Sequence, residues 1–373
     1  MRDGALRNKE EKDRTAAKDQ PADSVSVSDS RNGSSDFWQR LGLAILAIGL
    51  SFAVSAIFIW LSGKNPLLAY WSMLGGAFGS IDSVAFALNK STPYVLAGVG
   101  VALCFRARVI NIGGEGQIAV GGIAASWVAL NCSDLPGVCL IPLAILAGSG
   151  AGAIWAAIPA AMRLARGVHE VLGTLLMNFV GVLLVSEALH GSMGEVGAGF
   201  PQSPLFPEQA WLPPLIPDTD LHIGIILAVV AVVVCHFGFW HTPWGFRLRL
   251  IGSTDKAAAY AGVSAARGVA GVMLLAGGLA GVAGAVEVLG VHYRLIQGFS
   301  QGFGFNAVAI ALLASLNPVA VLPAGLFFGF LEAGALAMQR EIGVPSSLIY
   351  VIQGLTMIFV LCALGISWRR QRV

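Results

Sequence analysis

Charge is scarce in this sequence: 12% of its 373 residues are Asp, Glu, Lys or Arg. Soluble domains carry roughly 25%, so this chain cannot cover a wholly water-facing surface. Also missing is any GxxxxGK[ST], HExxH or GxSxG string, which removes a self-contained P-loop ATPase, a zincin and a nucleophile-elbow hydrolase. The five cysteines (Cys104, Cys132, Cys139, Cys235, Cys362) show neither CxxC spacing nor a metal-ligand spacing with histidine. A net charge of +2 supplies no basic face for nucleic acid, and the lack of a Gly-X-Y period excludes collagen.

What remains is apolar. Hydrophobic residues make up 56% of the chain and the mean hydropathy is +0.74, so part of the solvent is lipid. The 47 glycines fit that setting, because small residues let membrane helices approach closely. Residues 1–36 differ in kind: charges of both signs and a Ser/Asp-rich run, with too few large apolar side chains to bury a core. They read as a disordered cytoplasmic tail and not as a signal peptide, leaving 37–373 as one transmembrane domain.

A crossing helix needs about 20 apolar residues. Candidate spans are 41–63, 91–105, 116–130, 138–162, 168–189, 221–241, 268–291 and 345–368, with 64–89 as an interfacial or partly embedded stretch. Residues 295–331 hold 37 positions without a charge, about 55 Å as one helix and too long for one crossing. Pro318 lacks an N–H and breaks this run after Asn317, giving segments 303–316 and 318–338. The expectation is an all-α, polytopic transmembrane helical bundle of about ten helices.

Lys and Arg in the connections set the orientation. One set holds Arg106, Arg108, Arg163, Arg166, Arg247, Arg249, Lys256, Arg267, Arg369, Arg370 and Arg372; the other holds Lys64, Lys90, Arg294 and Arg340. The first side is cytoplasmic, and both termini with it. Cys132 and Cys139 then fall in an outer loop, either as a disulfide or as two small residues near a helix end. The longest outer loop, 190–220, is rich in proline and carries Trp211. It is either a docking surface or a plain connector.

Four stretches carry polar chemistry. In FRARVINIGGEGQ (105–117) a carboxylate, an amide and glycines interrupt two short apolar segments. Such breaks are where transporters place binding sites, which would put Asn111, Glu115 and Gln117 on a pathway wall. The alternative is a tight cytoplasmic turn with Glu115 capping the next helix and paired to Arg106 or Arg108. In HEVLGTLLMN (169–178) Glu170 suits a helix start, and the deeper Asn178 needs a partner, either another helix or a substrate. The loop 241–267 reads as a short amphipathic helix at 253–262 between Arg249 and Arg267, for docking or as an ordinary basic loop. Glu287 and Glu332 are lone acids in apolar spans, functional candidates by default, though near the outer span ends where snorkelling is cheap.

Together these stretches, with GGLAGVAGAVEVLG (277–290) and GFGFNAVAIALLASLNP (302–318), resemble the branched-chain-type ABC permease superfamily, within it the nucleoside and simple-sugar permeases. The resemblance runs over about residues 40–366. It implies a vitamin B12-importer-like fold of two broadly similar halves, with the broken segments near 91–117 and 302–318 as counterparts lining the pathway. It implies the larger subunit of an unlike pair in the bacterial inner membrane, importing nucleosides or else ribose-like sugars. Phe303, Phe305, Asn306 and Asn178 would supply stacking and hydrogen bonds, alongside Asn111, Glu115 and Gln117. It further implies cytoplasmic ATPase subunits that hold ATP-Mg, docking on the stretch with Arg249, Asp255, Ala258 and Gly262, and a periplasmic or lipid-anchored binding protein; the chain itself holds no cofactor and is not an enzyme. A proton-coupled secondary transporter, titrating Glu287 or Glu332, is the alternative.

Overall fold

The computed structural model describes residues 33–370; the segment expected to be a disordered tail lies largely outside them, and the first helix begins at Gly33. By packing the chain divides at Ile45/Leu46, and the unit from Leu46 onward holds the helical bundle. Among the described residues there are thirteen α-helices and no paired strand: α1 (Gly33–Leu61), α2 (Pro66–Phe78), α3 (Ile81–Arg106), α4 (Gly114–Asn131), α5 (Gly137–Arg166), α6 (Glu170–His190), α7 (Gly224–His241), α8 (Pro243–Ser253), α9 (Asp255–Tyr260), α10 (Ala265–Glu287), α11 (Phe303–Leu313), α12 (Pro318–Ile342) and α13 (Ser346–Arg370).

Five of these are long and apolar enough to cross a membrane: α5, α6, α7, α10 with its extension to His292, and α12. The pair Leu46–Leu61 and Pro66–Phe78 passes the same test jointly, bent by 117°. The bend falls at the start of the stretch 64–89, where Asn65 caps α2 and Pro66 fills its first turn. Such a turn suits proline because the N–H it lacks would go unpaired there.

Local chemistry sets the other ends. Asn317 accepts the Val319 N–H at 3.2 Å and Pro318 opens α12, so the long uncharged run breaks where its proline requires. Gly167 closes α5 in the left-handed conformation (φ 65°), with Arg163 and Arg166 in the last turn, favourable at the negative end of the helix dipole. α10 ends in a single π-turn, Val288–His292, followed by Tyr293 at φ 56°.

α10 is the hub, packed against α5, α4 and α3, while α12 packs against α3 and α2. Glycine makes these contacts close. A Cβ at Gly152 would stand 2.8 Å from the Cα of Gly281, and one at Gly181 would stand 2.7 Å from the Cα of Gly116. Backbones this near leave dispersion to hold the helices, since lipid gives no hydrophobic drive between them.

Two expectations do not hold. Lys90, assigned to an outer connection, sits inside α3 and is buried; α3 begins ten residues ahead of the apolar run, at the Ser80 cap. Glu287 and Glu332 do not snorkel: they are 0% and 6% exposed, and both meet Lys90. Cys132 and Cys139 are free thiols. The long connection after α6 is a lid on the end of α10. Phe206 donates to the carbonyl of Tyr293 (2.9 Å), Leu212 to that of Leu289 (3.1 Å) and Ser203 to that of Leu295 (2.8 Å). The π-turn leaves such carbonyls without helical partners, so this loop has a structural task.

Candidate functional site

Two helices start in the interior of the bundle. α3 ends at Arg106, Arg108 turns left-handed (φ 55°), and the chain stays irregular until α4 begins after Gly113. Irregular backbone that is buried needs hydrogen-bond partners outside its own segment, and α6 supplies them. Glu170, Thr174 and Asn178 recur every fourth residue and so share one helix face. The Glu170 carboxylate accepts the Ile110 N–H (3.5 Å) and pairs with Arg163 (3.0 Å). The Thr174 hydroxyl accepts the Ile112 N–H at 3.4 Å. Asn178 accepts the Gly116 N–H (2.9 Å) and donates to the Ile112 carbonyl (2.8 Å). Asn178 thus has its partner in another segment of the protein. The i, i+4, i+8 spacing is visible in HEVLGTLLMN, but only the fold shows that the three residues form one ladder.

Asn111 and Gln117 pair amide to amide (3.3 and 3.4 Å), and Asn111 also accepts the Gly113 N–H at 2.9 Å. Both are buried, 0% and 1% exposed. Glu115 does not pair with Arg106 or Arg108. Its carboxylate crosses to the start of α11, accepting from the Ser300 hydroxyl (2.5 Å) and from the N–H groups of Gly302 (3.0 Å) and Gly304 (2.8 Å). A carboxylate at a helix N-terminus meets unpaired N–H groups and the positive end of the dipole. The two broken segments therefore meet end to end, with Gly304 against the backbone of Gly114 and Glu115. Arg106 instead donates to the Leu316 carbonyl (3.0 Å) and lies over Trp240.

On α11, Phe303 is buried edge-on to Tyr94 with ring centres 4.9 Å apart. Phe305 is 42% exposed, and the half-buried Asn306 donates to the Tyr94 hydroxyl at 3.2 Å. Of the seven residues read as pathway candidates, only these two reach the surface of the chain.

From Tyr94 the polar chain continues inward. Its hydroxyl donates to Glu332, and the Lys90 ammonium lies 3.7 Å from Glu332, 3.4 Å from Glu287 and 3.4 Å from the Gln301 amide oxygen. Phe303 and Phe86 place rings 5.4 and 5.9 Å from that ammonium. His292 closes on Glu287 at 3.5 Å. Nearby, His222 accepts the Gly224 N–H on Nδ1 (3.1 Å), and its backbone N–H donates to the Asn89 amide oxygen (3.3 Å); burial pushes its imidazole down to about 4. The cluster joins α3, α10, α12 and the start of α11. Lys90 is hidden in the sequence because its partners lie some 200 and 240 residues downstream.

On the opposite side, α8 and α9 occupy the stretch where one short helix is expected; α8 escapes sequence reading because FRLRL reads as a basic loop. Arg249 donates to the Phe239 carbonyl and lies 5.1 Å from the Trp240 ring centre, pinning α8 to α7. Ala258 is buried, Gly262 turns at φ 64°, and the Val263 N–H returns to the Ala258 carbonyl at 2.9 Å. The Asp255 side chain lies outside the described residues. A cavity of about 270 Å³ opens here between Trp244, Arg247, Ile251, Gly262, Ser264 and Arg267. No cluster of three or more metal-ligating side chains occurs among the described residues.

The described residues thus form a helical bundle with five helices long and apolar enough to cross a membrane, and two broken segments that meet head to head inside it. Residues 83–361 match the family described as branched-chain amino acid transport system / permease component, and the chain belongs to that family. It is 37% identical to the glucose ABC transporter permease protein TsgB13 of Haloferax volcanii, over 87% of this chain and 88% of that one. It is 34% identical to the guanosine ABC transporter permease protein NupP of Bacillus subtilis, over 88% and 95% of the two chains. The nucleoside ABC transporter permease protein NupB of Lactococcus lactis is 30% identical over 86% and 91%. The chain is thus an ABC permease component, served by separate ATPase and substrate-binding subunits, and not an enzyme. The alternative of a proton-driven carrier falls with that membership.

Proposed function

We propose that this chain forms one side of the pathway of a bacterial inner-membrane importer of nucleosides, with a second, unlike permease as the other side. The head-to-head meeting of α4 and α11 through Glu115 carries this reading, because it brings the tip of α11, with Phe305 and Asn306, to the rim of the break. Phe305 offers a ring for a base to stack on, and Asn306 an amide for ribose hydroxyls. In this reading Asn111, Glu115, Gln117, Asn178 and Phe303 act behind the wall, holding it in shape.

About ten crossings follow if α1, α3, α4, α11 and α13 join the five long apolar helices, α11 as a half-span. With Lys90 removed from the outer connections, the remaining basic residues favour cytoplasmic termini all the more strongly. The stretch with Arg249, Asp255, Ala258 and Gly262 would then dock the ATPase subunits that bind ATP-Mg, and the outer face would receive a periplasmic or lipid-anchored binding protein. A sugar substrate is the second reading, favoured by the Haloferax relative.

Uptake of labelled guanosine, uridine, ribose and glucose, in cells with and without this chain, tests both. Loss of nucleoside uptake alone supports the first reading, and loss of sugar uptake alone replaces it with the second. Persistence of all four in the deletion strain rejects both.

A further inference from the structure

The cluster around Lys90 does not balance. One ammonium faces two carboxylates, and the side chains of Lys90, Glu287 and Glu332 are 4%, 0% and 7% exposed. Charges removed from water so completely are costly unless they are neutralised. Two carboxylate oxygens also lack a hydrogen-bond donor: Glu287 Oε2 and Glu332 Oε1, the latter 3.7 Å from the ammonium.

The other titratable and charged groups around the cluster do not supply the missing charge. On α3, the neutral Tyr94 hydroxyl donates a hydrogen bond to Glu332 and brings no charge. On α4, Glu115 is spent on the start of α11. On α12, Arg340 is exposed and reaches only the ring of Phe86. From the lid loop, His222 is held neutral by burial, and Asp220 uses its backbone carbonyl to accept from Asn89 (2.5 Å). His292 lies 3.5 Å from Glu287 and is 17% exposed at the end of the π-turn.

From this geometry we infer that the buried Lys90–Glu287–Glu332 cluster is a binding site for a single proton, held on the free oxygen of Glu332. With the proton on the free oxygen of Glu332, the Lys90 ammonium matches the remaining carboxylate and the cluster is electrically neutral. Without it, one net negative charge stays buried among α3, α10 and α12. The proton drives nothing across the membrane in this scheme; it lets the interior close. Because Asn306 and Tyr94 link the cluster to the tip of α11, loss of the proton loosens the helix that the proposed function places at the pathway. The inference itself rests on burial and charge alone and stands whether the cargo is a nucleoside or a sugar.

The test is a difference titration of the purified full chain in lipid nanodiscs, from about pH 6 to about pH 9. E332Q removes the surplus acid, so the wild type should release about one proton more than E332Q over this range. Its melting temperature should fall with rising pH while that of E332Q stays level, because the folded state holds the proton. If E332Q does not fold, E287Q leaves the same balanced pair of charges and carries the same expectation. The double variant K90M/E332Q restores an unbalanced acid and should regain the extra proton. Equal proton release from wild type and a folded single variant overturns the inference, as does a double variant that stays level.

Discussion

The Glu115 carboxylate accepts the Gly304 N–H at 2.8 Å, so the first turn of α4 neutralises the first turn of α11. Two helices that start inside the bundle thereby share one anionic cap. E115Q keeps the volume but weakens three charge-assisted bonds, and should cost about 1–3 kcal/mol. G304A should be worse, because its Cβ falls on the backbone nitrogen of Glu115, which cannot move aside. Thermal unfolding of both variants in nanodiscs checks the order; G304A more stable than E115Q contradicts the end-to-end contact.

Asn178 uses both ends of its amide on the 105–117 break. N178A leaves a buried N–H and a buried carbonyl unpaired and should cost about 1–3 kcal/mol. N178D keeps the acceptor but sets a buried carboxylate against the Ile112 carbonyl, so it should cost at least as much. A loss of transport in N178A with unchanged stability would instead make this amide a substrate contact.

Gly262 sits at φ 64° with open space where its Cβ would be, so its demand is conformational. G262V should strain the turn by about 1–2 kcal/mol and shift α9. In a reconstituted importer the expected outcome is ATP hydrolysis that persists while uptake falls. G262N, which tolerates the left-handed region, should keep both. Full, substrate-stimulated uptake in G262V rejects the coupling role.

His222 ties stability to pH, with a definite sign. Its folded value lies near 4 against 6.5 for the free group, so below about pH 6.5 the unfolded chain binds a proton that the native chain refuses. Stability should therefore fall as pH drops from 6.5 towards 4, by on the order of 1.4 kcal/mol per pH unit. H222N keeps an acceptor for Gly224 and removes the titration. Acid unfolding midpoints that match in wild type and H222N would exclude this source of acid sensitivity.

Much of the frame is legible in the sequence because hydropathy and proline act locally. The break at Asn317 and Pro318 falls where the missing N–H requires, and most helix ends lie within a few residues of the apolar runs. Lys90 misleads for the opposite reason. A lysine beside an apolar run looks like its end, and only the distant Glu287 and Glu332 make it an interior residue. Glu115 stands out in the sequence yet suggests the wrong neighbours, since its donors lie some 190 residues away. The helix α8 escapes because its apolar and basic residues are explained by packing against α7, not by any period of its own.

The glycine contacts among α4, α5 and α10 have a mechanical meaning. Where Gly148 and Gly152 face Gly277 and Gly281, each Cβ-free position lies against a backbone atom of its neighbour. Slipping one helix along another by one residue, about 1.5 Å, would lose these Cβ-free contacts, in which a carbonyl or Cα already stands where a Cβ would be. These three helices are therefore a stator. The segment 298–302, with left-handed Gly298, Gln301 and Gly302, is tied to the same frame by the buried Phe299 ring, which lies on Gly122 of α4.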